Sequence, residues 1–298
     1  MMKALNNSAC GLLMLTVLAC SPKTENKSTP LTPGKKGKVT DPTPGKTDTL
    51  ATPSPKANLP EGAGSAALRK TTIMNLSQIA LAMHNHAGTY EEAFPAAASY
   101  SKDGKPLLSW RVGLLPFLDQ SALYRKFKLD EPWDSPNNIK LVESMPAVYD
   151  AAPSEKKAPK GHTFYRVFIG PDAAFTPGPG TQAGNLYPKG RKAGSFLDSL
   201  GETLLVVEAG DAVIWSKPDE LGYDAKKPLP KLGGVSSDGF YAAMGDGTIK
   251  FFRPTISESS LRGLITPAGG EVIDWKTIPW EAIESGVQKP KGSPPPPK

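Results

Sequence analysis

The stretch AALRKTTIMNLSQIALAMHNHAG, residues 66–88, decides the fold. At about 100° per residue, Leu68, Thr72, Ile73, Leu76, Ile79, Ala80, Met83 and Ala87 fall on one broad face. This spacing predicts a long helix from Ala66 to Ala87, capped by Ser65 and ended by Gly88 in the left-handed conformation. Met74 and Leu81 lie off that face and would rest on a second surface.

Downstream, SYSKDGKPLLSW carries a turn signal at Asp103-Gly104, and WRVGLLPFLDQSALYRKF reads as two short helical pieces divided near Pro116. DSPNNIKLVESMP reads as a short helix, with Ser135 as cap, Pro136 at its first position and Pro146 beyond its end. The second half changes to period two. HTFYRVFIG, ETLLVVEAG and AVIWSK read as strands, and GFYAAMGDGTIKFF reads as a hairpin turning at Asp246-Gly247. SESSLRGLIT predicts a last short helix starting at Ser257. Helices first and antiparallel strands after them give the α+β class, a long N-terminal helix packed on an antiparallel sheet with short additional helices.

The ends of the 298-residue chain have a different composition. Residues 1–19 contain Lys3 and an apolar run from Ala9 to Ala19, too short to span a membrane as a mature helix and suited to an export signal. The run closes on Val17-Leu18-Ala19-Cys20, which resembles the lipobox of bacterial lipoproteins, whose cysteine is lipidated and becomes the new N-terminus. An ordinary cleaved signal, or a short uncleaved anchor, would export the chain as well. Ser21 follows the cysteine, without the aspartate associated with inner-membrane retention. Residues 20–65 are rich in Pro, Thr and Lys and contain no aromatic side chain, so they bury too little apolar surface to offset ordering and predict a disordered tether. Residues 285–298 predict a second proline-rich disordered tail, and residues 66–284 the folded domain.

Cys10 and Cys20 are the only cysteines, which excludes a disulfide framework or a cysteine metal site in the mature chain. The net charge of +6 draws on lysines of the tether and fits a segment lying near an anionic membrane. Nucleic acid is not the expected partner of an exported chain. Gly45-Lys46-Thr47 matches the end of a phosphate loop, yet Thr40 stands where that loop requires its first glycine.

The stretches from Arg69 to Ala98, Asp103 to Tyr149, Gly239 to Phe252 and Leu261 to Ile273 resemble, in that order, a large family of uncharacterised secreted proteins. The family is abundant in planctomycete-type bacteria, and its domain is classed as domain of unknown function 1559. Many members begin with a prepilin-like apolar helix, so the resemblance implies a pseudopilin-like fold. This chain departs from the pattern in having a lipobox and a tether in place of that helix, which argues against assembly into a filament through it. The family often has a cysteine after the position of Tyr149, where this chain has Asp150-Ala151-Ala152-Pro153.

Candidate chemistry is sparse. His84 and His86 are about 200° apart on a helix and cannot chelate one metal, and His162 is distant, so no metal and no cofactor are expected. Glu208, Asp211, Asp238 and Asp246 lie at strand ends or turns, positions from which two can converge as an acid and base, although Asp246 is also explained by Asp-Gly turn chemistry. Ser195 and Ser199 have no nucleophile elbow around them and no identifiable histidine partner. Five tryptophans, Trp110, Trp133, Trp215, Trp275 and Trp280, offer core packing or a sugar-stacking surface. Trp133 stands out because DEPWDSPNN is polar around it. Trp133, Glu208 and Asp246 are therefore the candidate ligand surface, and Cys20 the lipid attachment site.

These readings lead to an exported, lipid-anchored protein of the cell envelope, on the outer membrane or the periplasmic face, with a structural or interaction role and no recognisable catalysis. The alternative is a glycan-binding module or a hydrolase acting on cell-wall polymers. The membrane is the expected partner through the lipid, together with an envelope protein or polysaccharide that the sequence does not identify.

Overall fold

α1 (Glu61–Thr89) is the longest helix among the described residues of this computed structural model, which are 61–150, 158–178, 189–233 and 236–282. The signal segment with Cys20, the tether as far as residue 60 and the tail from residue 283 lie outside them. α1 buries Leu76, Ile79 and Met83 completely, while Met74 and Leu81 are 49% and 61% exposed, as the periodicity predicts. No helix among the described residues is long and apolar enough to cross a membrane.

Both ends of α1 differ from the sequence reading. The helix starts at Glu61 and passes through Ser65, which is therefore not its cap. At the other end it passes through Gly88, and the left-handed residues are Glu91 and Glu92, at φ of 57° and 61°. The cause lies in the return of the chain. The N–H groups of Tyr90 and Glu92 donate to the carbonyls of His86 and Ala87, and the buried His86 ring bonds Ala93 O through Nδ1 at 3.0 Å. These bonds satisfy the last carbonyls one turn later than a glycine cap would.

β1 (Ala93–Pro95) leads to a hairpin of β2 (Ala98–Tyr100) and β3 (Pro106–Ser109), with Gly104 at φ 76° in its turn. Where two helical pieces are expected there are three: α2 (Trp110–Gly113), a 3₁₀ turn Leu115–Leu118 and α3 (Ser121–Tyr124). Pro116 opens the middle piece instead of dividing two, because a first-turn proline forfeits no hydrogen bond. Asn138–Ser144 is a 3₁₀ segment, not an α-helix. The preceding loop positions it through the buried Asn138 side chain, which bonds the backbone of Lys128, Glu131 and Pro132.

The central sheet has the order β11-β10-β9-β7-β4 and is antiparallel throughout. Its strands are β4 (His162–Arg166), β7 (Leu204–Ile214), β9 (Phe240–Met244), β10 (Ile249–Phe252) and β11 (Trp280–Ala282). β5 (Phe168–Ile169) and β8 (Leu221–Gly222) pair in parallel, and β6 (Lys189–Lys192) pairs with β1. ETLLVVEAG and AVIWSK are not two strands: β7 runs through both, bending at Gly210, whose φ is 42°. Leu204 to Val207 pair with β9, and Val207 to Ile214 pair with β4.

Alternation along these strands creates two cores. Tyr241, Ala243, Ile249 and Phe251 join Leu76 and Ile79 under α1, whereas Phe240, Ala242, Met244 and Phe252 join Leu261, Leu264 and Ile265 of α4 (Glu258–Ile265). Ser257 caps α4 by accepting from the N–H of Ser260. The architecture is thus α+β, with the N-terminal helix on an antiparallel sheet and short helices added.

Candidate functional site

The three residues singled out as a ligand surface have separate surroundings. Trp133 is half-buried on its loop, its backbone N–H donates to Leu107 O at 3.0 Å, and Lys217 Nζ stands 5.8 Å from its ring centre. Glu208 is a β7 residue facing α1, only 3% exposed, and its Oε2 accepts from the N–H of Tyr241 at 2.9 Å. Burial pushes its carboxyl up to about 7. Asp246 forms the β9–β10 turn, where Oδ1 accepts from the N–H and hydroxyl of Thr248 at 2.9 and 2.7 Å and Gly247 takes φ 85°. The structure therefore brings no two of the three to a common set of partners. Asp238 is also engaged, with Arg69 at 3.4 Å.

The two helix histidines serve the end of α1. The His86 ring lies 4.7 Å from Tyr90 and 5.5 Å from Phe117, and burial holds its pKa below the ordinary value. His84 stands edge-on to Phe94 at 5.4 Å. Among the described residues, no group of three or more His, Cys, Asp or Glu is placed to hold a metal ion. Ser195 donates to Lys192 O and Ser199 accepts from the N–H of Gly201, so each hydroxyl has a local structural partner. Trp110 and Trp215 are core residues. Trp275 and Trp280 are half-buried and hold Lys250 Nζ between them, 4.8 Å from each ring centre.

The sequence reading missed the most polar feature of the interior. Arg111 is fully buried and reaches Glu220 through Nη1 at 2.9 Å, Tyr165 O through Nη2 at 2.6 Å and Ser109 Oγ through Nη1 at 2.6 Å. Glu220 also accepts from the N–H of Val167 at 3.0 Å. Burial raises the Glu220 pKa, opposed chiefly by the Arg111 guanidinium. The pair links α2, β4 and the segment before β8, a structural role for charges that would be very costly alone. Its sequence signal is the single charge in LLSWRVGLLPFL, residues 107–118.

Two open clefts lie elsewhere. One, of about 430 Å³, is lined by Leu229, Leu232, Phe240, Ile256 and Leu261 with Glu258 among them. The other, of about 330 Å³, lies among Asp172, Arg191, Tyr223, Thr266 and Glu271. Neither contains Trp133, Glu208 or Asp246.

No curated protein and no solved structure matches the chain. One family model does, over residues 65–226, from α1 through β8, which is more than half of the sequence. All but the first four residues of α1, the hairpin that follows it and the buried Arg111–Glu220 pair fall inside the matched region. The chain accordingly belongs to the family described as protein of unknown function (DUF1559).

Proposed function

We propose that this chain is an exported, lipid-anchored cell-envelope protein whose folded domain has a structural or interaction role without catalysis. The observation that carries the reading is Cys20, placed at the end of a short apolar run and followed by a proline-rich segment. In this reading residues 1–19 are removed, Cys20 enters the outer membrane or the periplasmic face by its lipid, residues 20–65 act as a spacer, and residues 66–284 meet an envelope partner. The test is metabolic labelling with a tagged fatty acid. Wild type takes up the label and Cys20→Ser does not, while equal labelling and equal membrane retention of the variant would defeat the reading.

A second reading, binding of envelope polysaccharide, is favoured by Trp133, a half-buried indole on a polar loop beside Lys217. The hydrolytic form of that reading would draw on Glu208, whose pKa near 7 suits a general acid but whose 3% exposure closes it to a polymer. Binding is therefore the form retained. Loss of sedimentation with cell-wall polysaccharide in Trp133→Ala, at unchanged thermal stability, is the outcome it requires.

A further inference from the structure

Four stretches far apart in sequence line the cleft of about 330 Å³: the turn after β5 with Asp172, Arg191 of β6, Tyr223 just past β8, and the loop after α4 with Thr266 and Glu271. Its volume lies at the lower end of the ~300–1,000 Å³ of small-molecule sites. Charges of both signs stand around it, a half-buried guanidinium and two exposed carboxylates. Among the described residues none of these three groups forms an ion pair. Arg191 and Glu271 are anchored by neutral groups instead. Arg191 Nη2 donates to Pro171 O at 3.1 Å, and Glu271 Oε2 accepts from the Thr266 hydroxyl at 3.2 Å. Arg191 Nε is buried without a protein partner, so the guanidinium is short of the anion that would compensate it.

The walls are also fixed in place. Asp198 Oδ1 accepts from the N–H of Gly270 at 3.0 Å, and the N–H of Asp198 donates to Pro267 O at 3.1 Å, which clasps the loop after α4. The N–H of Tyr223 donates to Ile169 O at 2.8 Å and ties the opposite wall to β5. A cleft held this way loses little freedom when it is filled.

We propose that this cleft binds a small zwitterion carrying one ammonium and one carboxylate, a free amino acid or a short peptide. Arg191 takes the carboxylate, Asp172 and Glu271 take the ammonium, and the carbon chain lies among Tyr223, Pro267 and Ala268. The mixed lining selects this class. A simple anion would meet two carboxylates, and a simple cation would meet the guanidinium.

The test uses the full chain and saturation-transfer NMR against the common amino acids and against the peptides Gly-Gly and Ala-Ala. Binding of an amino acid or of a peptide is expected, and which of the two binds identifies the source. The absence of binding by all of them overturns the proposal. The N-acetylated and the carboxyl-amidated forms of the binder should each bind at least tenfold more weakly, and equal binding of either form overturns it as well. The double variant Asp172→Asn with Glu271→Gln changes exposed side chains only, and should bind at least tenfold more weakly at an unchanged melting temperature. Arg191→Met should do the same. Affinity equal to wild type in the double variant places the ligand elsewhere and overturns the assignment, whether or not Arg191→Met folds.

Discussion

Glu208 Oε2 accepts the N–H of Tyr241 at 2.9 Å, at the step where β7 parts from β9 after the pairing of Val207 with Ala242. The carboxyl does for Tyr241 what a strand carbonyl would otherwise do, and it does so 3% exposed and beneath α1.

That burial makes stability depend on pH. The folded carboxyl titrates at about 7 against an ordinary 4.5, so the proton is held more tightly in the folded chain. The contribution is fully present below the unfolded value, declines as pH rises toward 7 and is flat above, a loss of about 3 kcal/mol across the window. His86, whose pKa is lowered by burial, acts in the opposite sense, contributing above its unfolded value and losing that contribution as pH falls. Glu208→Gln removes only the first effect. Urea midpoints at pH 5 and pH 8 should therefore shift toward relative stability at pH 8 in the variant, and an unchanged pH difference would refute the assignment.

Gly88 offers a test of where α1 ends. It is helical, and a Cβ there would meet nothing within 4 Å. Gly88→Ala should stabilise the protein by about 0.5–1 kcal/mol by restricting the unfolded chain and improving helix propensity. A lowered melting temperature would instead mean that Gly88 holds the left-handed position that its sequence context suggests.

Removing one member of the buried ion pair should be severe. Arg111→Met leaves Glu220 and the Tyr165 carbonyl without their principal donor, at a cost of about 3–5 kcal/mol. Adding Glu220→Gln to that variant should recover part of the loss, because no uncompensated charge then remains. Chemical denaturation of the single and double variants reads the difference, and a double variant less stable than Arg111→Met would contradict the pairing.

Asn138 organises the loop bearing Trp133. Its side chain accepts the N–H of Lys128 and donates to the carbonyls of Lys128, Glu131 and Pro132. Asn138→Ala should cost about 3 kcal/mol, since several of these groups are left without protein partners. Trp133 should become more exposed. The red shift in fluorescence on Asn138→Ala should be largely absent when Trp133→Ala is also present, which separates this indole from the other four.

What was legible in the sequence is what short-range chemistry encodes. The Asp103-Gly104 and Asp246-Gly247 turns, the Ser257 cap and the apolar face of α1 each depend on residues a few positions apart, and each is where the sequence places it. Features set by distant parts of the chain were not legible. The end of α1 is moved beyond Gly88 by a bond from His86 to Ala93, after the chain has turned back. Glu208 reads as a strand-end carboxylate beside Ala209-Gly210, yet Gly210 bends β7 without stopping it, so Glu208 is carried into the interior. Arg111 and Glu220 are 109 positions apart, and no local pattern announces their contact. Trp133, Glu208 and Asp246 share chemical promise but belong to a loop, a buried strand and a hairpin turn.

The order of strands has a practical consequence for anyone dissecting this protein. The family match stops at residue 226, before β9 begins at Phe240, yet β9 lies between β7 and β10 in the sheet. A fragment trimmed to that boundary would strip β7 of a neighbour, opening a raw edge along Leu204 to Val207, and would take away Phe251 and Ile249 from beneath α1. Such a truncation should be recovered as aggregate, whereas one carried through Ala282 retains every strand of the sheet.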